Sequence, residues 1–150
     1  MKKILAAIDF SNATTGVISA AIDHAKAFGA ELHLLHIIEP EPAYTAYGLS
    51  PNEFPEIHSF HEESRKRAQK ALAECAAEIT TQGITPITHL SDGSPLLELE
   101  TKIKEISADL VILGAHGHNI VASLILGSVA EGMVRKAIVP TLVIPASDSK

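Results

Sequence analysis

The 150 residues contain no tryptophan, one cysteine and an aromatic fraction of 4%. A core with so few rings has to be assembled from aliphatic and alanine side chains. A single cysteine excludes an internal disulfide, which fits a reducing compartment. Cys75 lies in an alanine-rich helical pattern and reads as a small helix-packing residue. Positive charge is also in deficit, with 12 Lys and Arg against 18 Asp and Glu, a net charge of −6. An acidic surface repels phosphodiester backbones, so a nucleic-acid partner is not expected. A small anion can still be held where backbone amides, rather than lysines, supply the positive potential. Long hydrophobic runs are missing as well. The apolar start "MKKILAAI" is cut by Asp9, too early for a secretory segment, and no stretch reaches membrane-spanning length. The expectation is a cytoplasmic protein without a membrane partner.

What the chain does contain alternates. Lys3–Asp9, "KILAAID", is a short apolar run of the kind buried on both faces of a sheet. Val17, Ile18, Ala21, Ile22, Ala25 and Phe28 recur at helical spacing, with Gly29 as a stop. "ELHLLHII", Glu31–Ile38, reads as a second strand, so the first three elements form a parallel unit with a right-handed crossover. Glu39–Glu56 is the one long irregular segment; it holds both tyrosines and four of the eight prolines. Loops of that length in a compact domain are usually functional or mobile. A long helix follows over Ile57–Gln82, with Glu62/Lys66 and Glu63/Arg67 as i, i+4 pairs on a solvated face. Strands are expected at Ile84–Leu90, Asp109–Gly114 and Pro140–Pro145. Between them lie a helix capped by Ser94 with Pro95 at its first position and another over Ser128–Ala137. Five strands alternating with four helices predict a single three-layer, doubly wound α/β domain with a five-stranded parallel sheet.

In such sheets ligands sit beyond the carboxyl ends of the strands, where strand order reverses. Asp9 ends the first strand and Gly114 the fourth; if these strands are neighbours, both line one crevice. Gly114 and Gly117 have no Cβ, so their amides can approach a ligand and take positive φ. Gly127 and Ser128 open a helix, where unpaired N–H groups and the dipole favour phosphate, and the Ser128 hydroxyl can donate once more. Asp9 suits ribose hydroxyls. The lysine of a G-x4-G-K-S/T loop is absent, which points to a holder of phosphates rather than a hydrolase.

Four segments together resemble the universal stress protein family: "ILAAIDFS", "ELHLLHI", "DLVILGAHG" and "GSVAEGMVRKAIVPTLVIP". The family's nucleotide signature, G-x2-G-x9-G-S/T, is matched by Gly114, Gly117 and Gly127-Ser128. The resemblance implies the family's fold, that of the adenine nucleotide alpha hydrolase-like domains, and ATP as ligand. AMP and ADP are the alternatives, and Mg2+ or Mn2+ would accompany the phosphates. By position it implies Asp9 beside ribose and base, and the backbone around Ala7 and Ile37 at adenine. Gly114, His116, Gly117, His118, Asn119, Gly127, Ser128 and Val129 would surround ribose and phosphates. It also implies a homodimer through the last strand, Thr141–Ile144, and a role as a stress-response switch or scaffold. Hydrolysis or autophosphorylation would be weak, and no catalytic residue is assigned. The chain departs from the family pattern at Ala7 (often proline), His118 (often arginine or lysine) and Gly132 (usually a larger polar residue). A histidine at 118 predicts tighter nucleotide binding as pH falls toward about 6.

Two other readings compete. One is a protein-interaction module of the same fold, with Glu39–Glu56 facing an unknown protein partner; the other is an enzyme acting on a small phosphorylated metabolite. Neither G-x-S-x-G nor S-G-G-x-D-S occurs, which removes serine hydrolase and ATP pyrophosphatase chemistry. Eight histidines invite a metal reading at His116/His118 or His58/His61 with Glu62, but no zinc spacing is present and none is assigned. His24, His33, His36 and His89 read as isolated surface or strand-edge residues.

Overall fold

The computed structural model describes residues 1–40, 48, 55–116 and 126–147. Its elements run β1 (Lys3–Ile8), α1 (Thr14–Phe28), β2 (Glu31–Ile38), α2 (Pro55–Thr81), β3 (Ile87–Asp92), α3 (Pro95–Ile106), β4 (Leu110–Gly114), α4 (Ser128–Lys136) and β5 (Thr141–Ile144). All strand pairs are parallel and the order is β3-β2-β1-β4-β5.

The apolar runs of the central strands split by parity because successive side chains point to opposite faces. Ile4, Ala6, Ile8, Leu32 and Leu34 join Val17, Ile18, Ala21, Ile22 and Ala25 of α1 and Leu72 and Ile79 of α2 on one face. Leu5, Leu35, Val111 and Leu113 pack with Leu99, Ile103 and Ile106 of α3 and Ala130 and Met133 of α4 on the other. Each Leu or Ile so buried contributes about 1.5–3 kcal/mol relative to exposure. Cys75 is half-buried against the first cluster. Burial pushes its thiol pKa up, and Glu78 and Glu74 add to the effect.

Several expectations shift. Phe28 holds its place on the helical period but is exposed, because α1 ends there: Gly29 takes φ +59 and returns its N–H to Ala25 and Lys26. The third strand begins at Ile87, not Ile84, since Pro86 has no N–H for the ladder; pairing starts at His33 opposite Ile87 and runs to Asp92 opposite Ile38. Ser94 does occupy the N-cap of α3 with Pro95 next, yet its hydroxyl makes no capping bond. On α2, Glu62 faces His58 at 3.3 Å rather than Lys66, and Arg67 donates to Ser64 Oγ at 3.3 Å rather than pairing with Glu63. Arg65 and His61 both reach Asp92 and tie α2 to the end of β3. No helix among the described residues is long and apolar enough to cross a membrane.

Candidate functional site

The strand order places β1 between β2 and β4. The chain winds outward from β1 in both directions, with α1 and α2 on one face and α3 and α4 on the other, so the connections diverge there and leave a crevice above the carboxyl ends. The conditional neighbourhood of the first and fourth strands is therefore real: Ile4, Leu5 and Ala6 pair with Leu110, Val111 and Ile112. A cavity of about 770 Å³ occupies this place. Ala7, Asp9, Ile37, Gly114, His116, Gly127, Ser128 and Val129 all line it. Gly117, His118 and Asn119 lie outside the described residues, as do most of Glu39–Glu56 and the pH expectation attached to His118.

The floor is built by a strained turn. Asp9 Oδ1 accepts the backbone N–H of Ser11 at 3.0 Å, and Phe10 between them takes φ +60. That region is costly for a bulky side chain and is held only where surroundings enforce it. Here the Phe10 ring lies 4.5 Å from the ring of His36. His36 in turn is fixed by a 2.9 Å contact from Nδ1 to the Ile8 carbonyl, which makes Nδ1 the donor. His36, expected to be an isolated strand residue, is thus a wall of the crevice.

The far side is the start of α4. Gly127 is extended (φ −63, ψ 157) and its N–H donates to the Ala115 carbonyl at 2.7 Å. With no side chain at the cap, nothing from Gly127 covers the N–H groups of the first turn. Gly114 plays a different part from the one expected. It does not adopt positive φ, and a Cβ there would lie 2.7 Å from Cβ of Ala13. Its smallness admits the start of α1, not a ligand. Gly132 likewise makes room for Leu96, whose Cδ2 would lie 2.5 Å from an added Cβ. That close approach of α3 and α4 outweighs the small helix penalty of a glycine.

Three polar atoms that follow the carboxyl ends of β1 and β4 are buried without a hydrogen-bond partner among the described residues, Ser11 Oγ, Thr14 Oγ1 and His116 Nδ1, and of these residues His116 lines the crevice. Buried orphans of this kind are rare in folded proteins. The lining also includes residues that the sequence patterns do not assign to a site, notably Ser64 and Arg67 of α2 and Pro95 and Leu99 of α3. Arg67 is the one Lys or Arg in the described lining. Its segment reads locally as a wet helix face, so only the docking of α2 could reveal it. Among the described residues, no three His, Cys, Asp or Glu side chains converge as metal ligands.

A doubly wound parallel sheet with its crevice at the switch point, floored by an acid and closed by an uncapped helix start, defines the class of α/β domain. The family follows from comparison. The model of the universal stress protein family matches residues 1–145, and the chain belongs to that family. A Staphylococcus haemolyticus relative carrying the universal stress protein name is 34% identical over 146 residues, covering 95% of this chain and 84% of that one. Among solved structures, the universal stress protein UspA from Lactobacillus plantarum superposes with a TM-score of 0.79 at 23% identity, covering 95% of this chain and 97% of that chain. The universal stress protein from Archaeoglobus fulgidus in complex with dAMP gives 0.70 at 20% identity, covering 96% and 98%.

Proposed function

We propose that this chain binds an adenine nucleotide, ATP foremost, and acts as a cytoplasmic nucleotide-dependent switch or scaffold in a stress response. The observation that carries this reading is the crevice itself, where Asp9, His116 and the open start of α4 line one cavity. The dAMP bound by the Archaeoglobus fulgidus structure supports the choice of ligand class. The base would rest on the apolar side, against Ala7, Ile37, Leu99 and Val129. Asp9 would accept from ribose hydroxyls. The N–H groups of Ser128 and Val129 and the Ser128 hydroxyl would hold phosphate, with Gly117, His118 and Asn119 around it, and Arg67 would supply a fixed positive charge from α2. A bound Mg2+ or Mn2+ would take its ligands chiefly from the phosphates, because the described lining offers only Asp9 and Glu39 as carboxylates. No lysine stands in the described lining to stabilise a phosphoryl transition state, so turnover is slow at most.

The test is to denature freshly purified protein, identify released nucleotide by chromatography, and measure ATP binding to wild type, Asp9→Ala and Ser128→Ala by calorimetry. Asp9→Ala is expected to weaken ATP at least about tenfold, equivalent to about 1.4 kcal/mol, with the fold intact by circular dichroism. No released nucleotide, together with no rise in Tm at millimolar ATP, would overturn the reading. We also place a homodimer contact at β5. This edge strand lies beside exposed Val134 and Ile138, and an open edge is a pairing surface. Sedimentation of Ile138→Glu against wild type tests it; a monomeric wild type removes it.

A further inference from the structure

At the amino-end half of β2, two residues before Leu35 of the crevice lining, His33 is 4% exposed. Its Nε2 lies 2.7 Å from Glu31 Oε1 and its Nδ1 lies 2.8 Å from Nε2 of His89 on the edge strand β3. The register explains the meeting: His33 stands opposite Ile87 and Leu35 opposite His89, so the two histidines are diagonal neighbours on the same face, the face covered by α3. Their planes differ by 11°. Nitrogens 2.8 Å apart in nearly parallel planes leave no room for one ring above the other. The rings therefore meet edge to edge, with a hydrogen between them. A zinc ion bonded to both at about 2.0–2.1 Å with a tetrahedral angle would hold the nitrogens about 3.3 Å apart, so the gap suits a proton and not a metal.

The proton count follows from which atoms can donate. Glu31 is an acceptor, so His33 Nε2 carries a hydrogen. In the neutral pair His33 Nδ1 is then the acceptor and His89 Nε2–H the donor. One added proton is accommodated: with His89 Nδ1 protonated, both rings keep their bonds, and the bridging hydrogen can sit on either nitrogen. With it on His33, the charge lies directly against Glu31. A second added proton would put hydrogens on both facing nitrogens, which breaks the bridge and leaves two cations in contact. The charged groups facing the pair are Glu31 from β2 and Lys102 and Glu105 from α3, the last two bonded to each other at 2.7 Å. Burial first, then Lys102 and His33, lower the pKa of His89, with Glu105 opposing. That direction agrees with resistance to full protonation.

We propose that Glu31, His33 and His89 form a proton-sensitive clamp on β3 that holds through the first added proton and opens at the second. His33 is too buried to turn outward alone, so opening means loosening the β2–β3 edge and the α3 contact over it. Protonation thus becomes a local structural change in mild acid, at three residues that do not themselves line the nucleotide crevice.

Two measurements test this on the intact chain. Long-range proton–nitrogen NMR at neutral pH should show His33 and His89 both as Nε2–H tautomers. On titration, their imidazole signals should follow two coupled steps more than about one pH unit apart. Amide hydrogen exchange of β3, corrected for intrinsic rates, should accelerate at least about tenfold relative to β1 between pH 7 and pH 5, an effective opening change of about 1.4 kcal/mol. His89→Gln keeps an N–H donor toward neutral His33 and, with its amide turned, a carbonyl acceptor toward protonated His33, so no protonation state sets two hydrogens face to face and this acceleration should vanish. A Nδ1–H tautomer at His33 in neutral solution, or two independent titrations near the ordinary histidine value, would overturn the clamp. Equal acceleration in His89→Gln would do the same. If that variant fails to fold, the wild-type tautomers and titration decide alone.

Discussion

At the amino ends of the strands, polar groups find each other inside the chain. Asp109 accepts the backbone N–H groups of Lys2 and Lys3 at 2.7 and 2.9 Å. The carbonyls of Lys2 and Lys3 accept from Glu31 and Asp109 at 2.8 and 2.9 Å, and His33, His89 and Glu31 close on one another. The carboxyl ends of the same ladder look different. Phe10 holds a left-handed backbone, and three buried polar atoms there have no partner among the described residues. One end satisfies its hydrogen bonds internally and is a structural closure; the other keeps strain and unused bonding capacity beside the crevice.

Substitutions can sharpen that contrast. The largest effect is expected from Leu99→Ala. Leu99 is fully buried in the α3/α4 core and also lines the crevice, so urea unfolding should show a loss of about 2–5 kcal/mol from transfer and cavity terms. A loss near zero would mean the crevice wall is not part of the core. Gly114→Ala comes next, with about 1–3 kcal/mol expected from overpacking against Ala13. The double variant with Ala13→Gly should recover most of it. Failure of that rescue would return Gly114 to a ligand-facing role and weaken the division drawn here. The smallest effect is at the closed end. Hydrogen bonds from Lys2, then Lys3, hold the Asp109 carboxyl below its usual 3.8. A depressed carboxylate contributes stability above the unfolded value and loses it as pH falls through the folded one. Asp109→Asn should therefore be slightly less stable at neutral pH and show a flatter acid limb below about pH 4, read by thermal unfolding across pH. An unchanged acid limb would show that these bonds carry no linkage.

The legible parts of the fold were those governed by local periodicity. The bounds of β2, the place of β5 between Pro140 and Pro145 and the helical stripe of α1 follow from the order of side chains, and the start of α4 from Gly127-Ser128. Asp9 and Gly127-Ser128 were legible as residues of the crevice lining because they sit where apolar runs stop. Arg67, Ser64 and Leu99 were not, since each lies on a helix whose approach to the crevice depends on how distant segments dock. His33 was misread because its neighbours in sequence say nothing of His89, 56 residues away. Gly114 was placed correctly but for another reason: the closeness of Ala13 is invisible along the chain.

By itself, then, the sequence determined the alternation of strands and helices, the apolar faces, the acidic surface and the family signature. These depend on residue type and spacing within a few turns of chain. Only the tertiary structure decided the strand order that puts Asp9 beside Gly114, the pairing of His33 with His89, and which glycines yield to packing. Those depend on contacts between segments far apart in the chain, whose distances are set by the packing of the whole sheet and its helices.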